Sequence, residues 1–112
     1  EVIYERPEDG FVYLKREDVH VMLEELSPES WETAPLDRPF GRGLNLEMAC
    51  SSLRPLLGSL AEIGWPLFRE PAERWYRVND QEVGVRQFLV QDPDGYLLRF
   101  QQSIGERSID DD

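Results

Sequence analysis

The chain has 112 residues, 40% of them hydrophobic and 11% aromatic, enough for one core of ordinary size in one domain. Twelve Lys and Arg stand against 23 Asp and Glu, a net charge of −11, and removing the three acids Asp110 to Asp112 still leaves −8. Nucleic acid is therefore not an expected partner, since a phosphate-binding surface needs clustered cations, whereas a cationic small molecule would be attracted. The one cysteine, Cys50, leaves no internal disulfide and fits a reducing compartment. No run reaches the roughly 18 apolar residues of a membrane span and no basic-then-apolar leader is present, so the expectation is a soluble cytoplasmic protein with no membrane partner.

In chain order, Glu1 to Arg6 reads as a strand and Pro7 to Gly10 as a turn. Phe11 to Lys15 returns, and a second reversal through Arg16 to Asp18 leads into a strand over Val19 to Leu26. Ser27 to Gly43 carries Pro28, Pro35 and Pro39 and reads as a connection, with a short helical turn near Pro28 to Trp31. Leu44 to Ala49 is a strand. Ser51 or Ser52 then caps a helix whose apolar stripe is Leu53, Leu56, Leu57, Leu60 and Ile63, stopped by Gly64. Trp65 to Phe68 opens a strand, Glu70 to Asn79 is a polar excursion carrying Trp75 and Tyr76, and Val83 to Val90 with Tyr96 to Gln102 form a final hairpin across Asp92-Pro93-Asp94-Gly95. Pro93 presets the second turn position and Gly95 can supply positive φ. From Glu106 the chain reads as a solvated tail.

The second half thus runs strand, helix, strand, strand, strand, and the first half repeats its last three strands. Asp18 to Leu23 overlays on Gly95 to Phe100, with Val19, Val21 and Leu23 matching Tyr96, Leu98 and Phe100 as the packed face. Strand parity then turns His20, Met22 and Glu24, Asn45 and Glu47, and Leu97, Arg99 and Gln101 to the opposite side.

The hairpin Gln87 to Gln101, the preceding Glu82-Val-Gly-Val-Arg-Gln-Phe88 and the repeated strand order resemble the vicinal-oxygen-chelate superfamily of glyoxalases, dioxygenases and bleomycin-resistance proteins, and among these the bleomycin-resistance-like binding proteins. The resemblance implies an α+β fold of paired βαβββ modules, with curved, partly open sheets around a cavity. It divides the chain into one domain over 1–107: an incomplete first module at 1–26, a connection at 27–43 and a second module at 44–105, followed by an acidic tail at 108–112. A complete first module would need a strand and a helix of roughly 20 residues before Glu1.

The resemblance also places four metal ligands; three of the positions are held here by Met22, Gly43 and Arg99, and the fourth would precede Glu1. A guanidinium keeps its proton and has no lone pair to donate, and the other two are no better suited to a divalent cation, so neither metal nor cofactor is expected. His20, the one histidine, reads as a polar wall residue. No catalytic residue is assigned. Glu47 is the expected partner of an inward-pointing Arg99, and Arg86 is a second cation on the same sheet. Trp31, Phe40, Trp65, Trp75 and Tyr76 lie in or beside irregular segments, where flat rings can stack on a guest. The expected ligand-binding set is therefore Trp31, Phe40, Glu47, Trp75, Tyr76, Arg86 and Arg99. The expected function is metal-independent sequestration of a planar or cationic small molecule by a homodimer. Val83 stands where drug-binding members often carry a tryptophan. The alternatives are a metal-dependent glyoxalase-like lyase or dioxygenase and a non-catalytic metabolite-sensing or interaction module.

Overall fold

The structure is a computed structural model that describes residues 1–37 and 40–109. Pro39 of the expected connection and the acidic run Asp110 to Asp112 lie outside the described residues.

Two antiparallel meanders dominate. β1 (Val2–Arg6), β2 (Phe11–Arg16) and β3 (Val19–Glu24) form a three-stranded sheet in that order. β4 (Asn45–Ala49), α1 (Arg54–Glu62), β5 (Arg69–Val78), β6 (Gln81–Gln91) and β7 (Leu97–Ser108) follow. They build a second sheet ordered β4-β7-β6-β5, in which β4 runs parallel to β7 and the other pairings are antiparallel. The β5-β6-β7 meander matches β1-β2-β3, so the internal repeat appears as a repeated strand order. The whole is an α+β fold of curved open sheets with one α-helix among the described residues.

The Asp92 to Gly95 reversal forms as the side chains dictate. Asp92 Oδ1 accepts the amides of Asp94 and Tyr96, both at 2.9 Å, the Gly95 amide closes the turn onto the Asp92 carbonyl at 2.9 Å, and Gly95 takes φ 93°. This pins β6 against β7 with Phe88 opposite Phe100 and Leu89 opposite Arg99.

The second sheet buries one face under α1. Leu53 and Phe88 are fully buried and Val90 nearly so, with Leu56, Leu57, Leu60, Leu98 and Phe100 packed around them and the Phe88 and Phe100 rings stacked at 5.5 Å. Burying a side chain such as Phe88 contributes about 1.5–3 kcal/mol. Cys50 packs at the edge of the same cluster.

Several boundaries differ from the sequence expectation. Ile63 does not belong to the core stripe: α1 ends at Glu62, and Ile63 is 72% exposed at the left-handed exit through Gly64. Leu53, rather than a serine, occupies the cap position, its amide donating to Gln102 Oε1 at 3.0 Å, while Ser52 Oγ accepts the Arg54 amide at 3.3 Å. The polar stretch after Phe68 is itself strand β5, and β7 continues to Ser108, beyond the expected start of a tail. Pairing with β6 along its full length explains both, because ladder hydrogen bonds satisfy the backbone whatever the side-chain polarity.

The first sheet has no helix over its outer face among the described residues. Leu23, the counterpart of Phe100 in the core cluster, is 54% exposed, and Val19 is 65% exposed. Arg6 and Arg77 stitch the two sheets together. Arg6, 7% exposed, donates to the Arg77 carbonyl at 3.2 Å and to Asp9 at 3.0 Å, and Arg77 forks onto both carboxylate oxygens of Glu8 at 2.9 and 2.7 Å.

Gly84 marks a close approach on the helix side of the second sheet. A Cβ there would stand 2.7 Å from the Trp75 ring and 2.8 Å from Ile104, whereas a Cβ at Gly58, within α1, would meet open space. Gly84→Ala should therefore cost about 1–3 kcal/mol through overpacking, and Gly58→Ala should gain about 0.5–1 kcal/mol through helix propensity. Urea midpoints of the two variants, moving in opposite directions from wild type, check both.

Candidate functional site

The cavity between the sheets has a volume of about 850 Å³, within the range typical of drug-sized ligands. Its floor comes from β4 and β7, where the parallel register sets Asn45 beside Leu97, Glu47 beside Arg99 and Ala49 beside Gln101. Asn45, Glu47, Arg99 and Gln101 all line it.

Arg99 is the organising group of that floor. Its Nε donates to Asn45 Oδ1 at 3.2 Å, one terminal nitrogen donates to Gln87 Oε1 at 3.3 Å, and the other lies 3.4 Å from Glu47 Oε2. The guanidinium carbon sits 5.4 Å from the Trp31 ring centre, so the connecting segment contributes a flat cover above the cation. Gln87, buried beneath, passes its amide hydrogen to the Tyr76 hydroxyl at 2.7 Å. β7, β4, β6, β5 and the connection thus meet around one charge, with three acceptors directed at the guanidinium and the Gln87 amide donating to a phenol.

The opposite wall is aromatic. Tyr4 and Arg6 from β1, Phe11 and Tyr13 from β2, and Met22 and Glu24 from β3 share the inner face because the antiparallel register pairs Tyr4 with Tyr13, Arg6 with Phe11, Tyr13 with Met22 and Phe11 with Glu24. Arg6 lies 4.0 Å over the Phe11 ring and 5.4 Å from that of Tyr76. The Tyr4 and Tyr13 rings are 5.2 Å apart. The Tyr13 hydroxyl meets His20 Nδ1 at 2.7 Å, with His20 at the exposed rim. Burial raises the Tyr13 phenol above its ordinary value; Glu47 and Tyr4 add to the rise and Arg99 opposes it. Tyr13 therefore keeps its proton across the neutral range.

The connection folds over the opening. Ser27 and Ser30 close a turn, Thr33 takes the Arg42 carbonyl through its amide at 3.0 Å, and Arg42 reaches back to the Pro35 carbonyl at 3.2 Å. The 3-10 turn Gly41–Gly43 then delivers the chain to β4. This segment contributes Trp31, Glu32, Leu36 and Phe40 to the lining.

Of the residues expected from sequence, Trp31, Phe40, Glu47, Tyr76 and Arg99 line the cavity together. Trp75 and Arg86 lie outside it. Trp75 pairs with Gly84, and Arg86, two residues on, shares that face, opposite to the face of Val83, Val85 and Gln87. Trp75 instead lies against Arg107, 4.1 Å from its ring centre. Tyr4, Arg6, Phe11 and Tyr13 are additions that sequence reasoning missed, although carrying the β3 parity back through two hairpins would have found them.

The positions where the family resemblance locates metal ligands do not fit a metal. Met22 and Gly43 line the cavity and offer no hard donor, and Arg99 is a cation already engaged by three acceptors. Among the described residues no three His, Cys, Asp or Glu side chains converge closely enough to hold a metal ion. Among them, too, no helix is long and apolar enough to cross a membrane.

Replacing Arg99 by Met would strip Asn45, Glu47 and Gln87 of their shared donor and should destabilise the fold by about 1–3 kcal/mol. Arg99→Lys should recover only part of that loss, since an ammonium lacks the planar fork that reaches three acceptors. Chemical denaturation of both variants checks the order wild type, R99K, R99M.

No family model matches the chain, and no curated protein matches it. A solved structure does: the crystal structure of a glyoxalase/bleomycin resistance protein/dioxygenase superfamily member from Vibrio splendidus 12B01 is 35% identical and superimposes with a TM-score of 0.65, over 93% of this chain and 78% of that one. That identity, sustained over nearly the whole chain and joined to the repeated meander and the cavity between its sheets, makes this chain a member of the glyoxalase/bleomycin resistance protein/dioxygenase superfamily.

Proposed function

We propose that this protein is a metal-independent small-molecule binding protein that sequesters a planar, cationic ligand, in the manner of the bleomycin-resistance branch. The observation that carries the reading is the state of Arg99. A cavity whose central charge is spent on Asn45, Glu47 and Gln87 has a cation where a metal ligand would stand, and among the described residues no three His, Cys, Asp or Glu side chains gather to replace it, while affinity alone needs no metal.

The ligand class follows from the walls. Trp31, Phe40, Phe11, Tyr4 and Tyr76 supply flat rings for stacking. The lining holds two cations, Arg6 and Arg99, each already paired with a carboxylate, against Glu24, Glu32 and Glu47. The carboxylates of Glu24 and Glu32 have no ion-pair or hydrogen-bond partner among the described residues. The excess is negative, and the whole chain carries −11, so a cation gains both at long range and on arrival. A homodimer and a cytoplasmic setting belong to the same proposal.

Trp31 reports on occupancy because its ring is part of the wall. Titration with the planar cation proflavine should quench tryptophan emission and saturate near one ligand per chain, and metal-free bleomycin, titrated separately, tests the drug itself. Glu47→Gln should weaken proflavine binding by about two- to fivefold, the worth of one partly exposed charge. A saturable proflavine signal with a flat bleomycin titration would keep the binding function and strike out the drug. Flat titrations with both would overturn the proposal.

A further inference from the structure

The contact between Tyr13 and His20 has a consequence for what the cavity can hold. Tyr13 is a wall residue of the cavity, its hydroxyl is 2.7 Å from His20 Nδ1, and His20 sits behind it at the exposed rim. The two rings meet edge to face, with centres 5.6 Å apart. A hydroxyl has one hydrogen to give, so its direction is set by what the histidine nitrogen offers. While His20 is neutral with Nδ1 bare, Tyr13 donates to it and turns oxygen lone pairs to the cavity. Once Nδ1 carries a proton, the histidine donates, and the Tyr13 hydrogen must point elsewhere.

We propose that the Tyr13 hydroxyl is the specificity-determining hydrogen-bonding group of the aromatic wall, accepting from a ligand N–H while His20 is neutral and becoming a donor when His20 is protonated. This rests on the reading of the cavity as a small-molecule site and names the feature it selects: an amine, amide or amidinium N–H on the ligand, placed between the Tyr13 oxygen and the carboxylate of Glu47, which line the cavity together. Protonation of His20 turns the same position toward carbonyl or carboxylate acceptors.

The charged and titratable groups around the pair come from both sheets. On β2, Lys15 stands opposite His20 in the register; on β3, Glu24 lies further along the same face, and Asp18 precedes the strand. Tyr4 on β1, Glu47 on β4 and Arg99 on β7 act on Tyr13. Carboxylates, phenols, ammonium and guanidinium groups as types hold their charge between pH 5 and 8, while imidazole changes its own in that interval. The hydroxyl itself stays protonated throughout, so what changes is the direction of its hydrogen.

Two measurements test the proposal. In the ligand-free protein, long-range proton–nitrogen NMR reads the tautomer without ambiguity, because His20 is the one histidine in the chain; the expected state at pH 8 is Nδ1 bare and Nε2 protonated. An Nδ1-protonated tautomer at pH 8 would overturn the switch, since Tyr13 would already be the acceptor from His20. The second is the affinity of proflavine, whose charge is constant over this range, at pH 8 and pH 5. Wild type should bind about tenfold more weakly at pH 5, the worth of one hydrogen bond, and Tyr13→Phe should shrink that difference to about twofold or less. A full tenfold difference surviving in Y13F would assign the effect to the imidazolium charge alone and overturn the role of the hydroxyl. No proflavine binding to wild type at either pH would overturn the cavity reading itself, a failure distinct from the first two.

Discussion

The guanidinium of Arg99 is the interaction on which the site depends. A cation with a side chain only 11% exposed is tolerable inside a protein when its donors are met. Here Asn45 and Glu47 from one neighbouring strand and Gln87 from the other meet them, with Trp31 above. The requirement works in both directions. Arg99 demands a parallel β4 so that Glu47 stands beside it, and β4 demands that the connection return across the cavity to reach that edge of the sheet. Closure of the cavity and satisfaction of its central charge are thus one structural problem with one solution.

The same arrangement sets what the Arg99 position can offer. Where a hard, deprotonated donor would invite a metal, this chain has a permanently protonated one, and the surrounding acceptors are already directed at it. What remains available to a ligand is the aromatic wall of the first sheet, the unpartnered acids near the mouth and the polarity of Tyr13. These are the elements of recognition: area for stacking, a field of one sign and one directional hydrogen bond. The two sheets contribute unequally, the second holding the core under α1 and the charge, the first supplying rings on its inner side while its outer face carries exposed Val19 and Leu23.

Much of this was legible in the sequence, for reasons that differ by element. The Asp92 to Gly95 turn is encoded in local side-chain chemistry, and the Leu53 to Leu60 stripe in helical periodicity, so both emerged where expected. The pairing of Glu47 with Arg99 followed from strand parity plus the neighbour relation implied by the family. β5 was not legible, because its polar-aromatic run has no apolar alternation and owes its strand to pairing with β6. Trp75 and Arg86 were grouped with the cavity by residue type. The close approach of Trp75 to Gly84, which fixes their face, exists only once β5 and β6 are paired. Tyr13 and His20 meet diagonally across a hairpin, and that contact depends on a register that composition does not reveal.

We propose that this protein binds its ligand reversibly and without chemistry, in a cavity that needs no metal. The most direct test is isothermal titration calorimetry of chelator-treated protein with proflavine, followed by mass spectrometry of the recovered ligand. The account predicts saturation near one ligand per chain, an isotherm unchanged by added nickel, zinc or manganese, and a ligand recovered with its mass intact. Binding that appears only after a metal is restored, or a ligand recovered with altered mass, would contradict it.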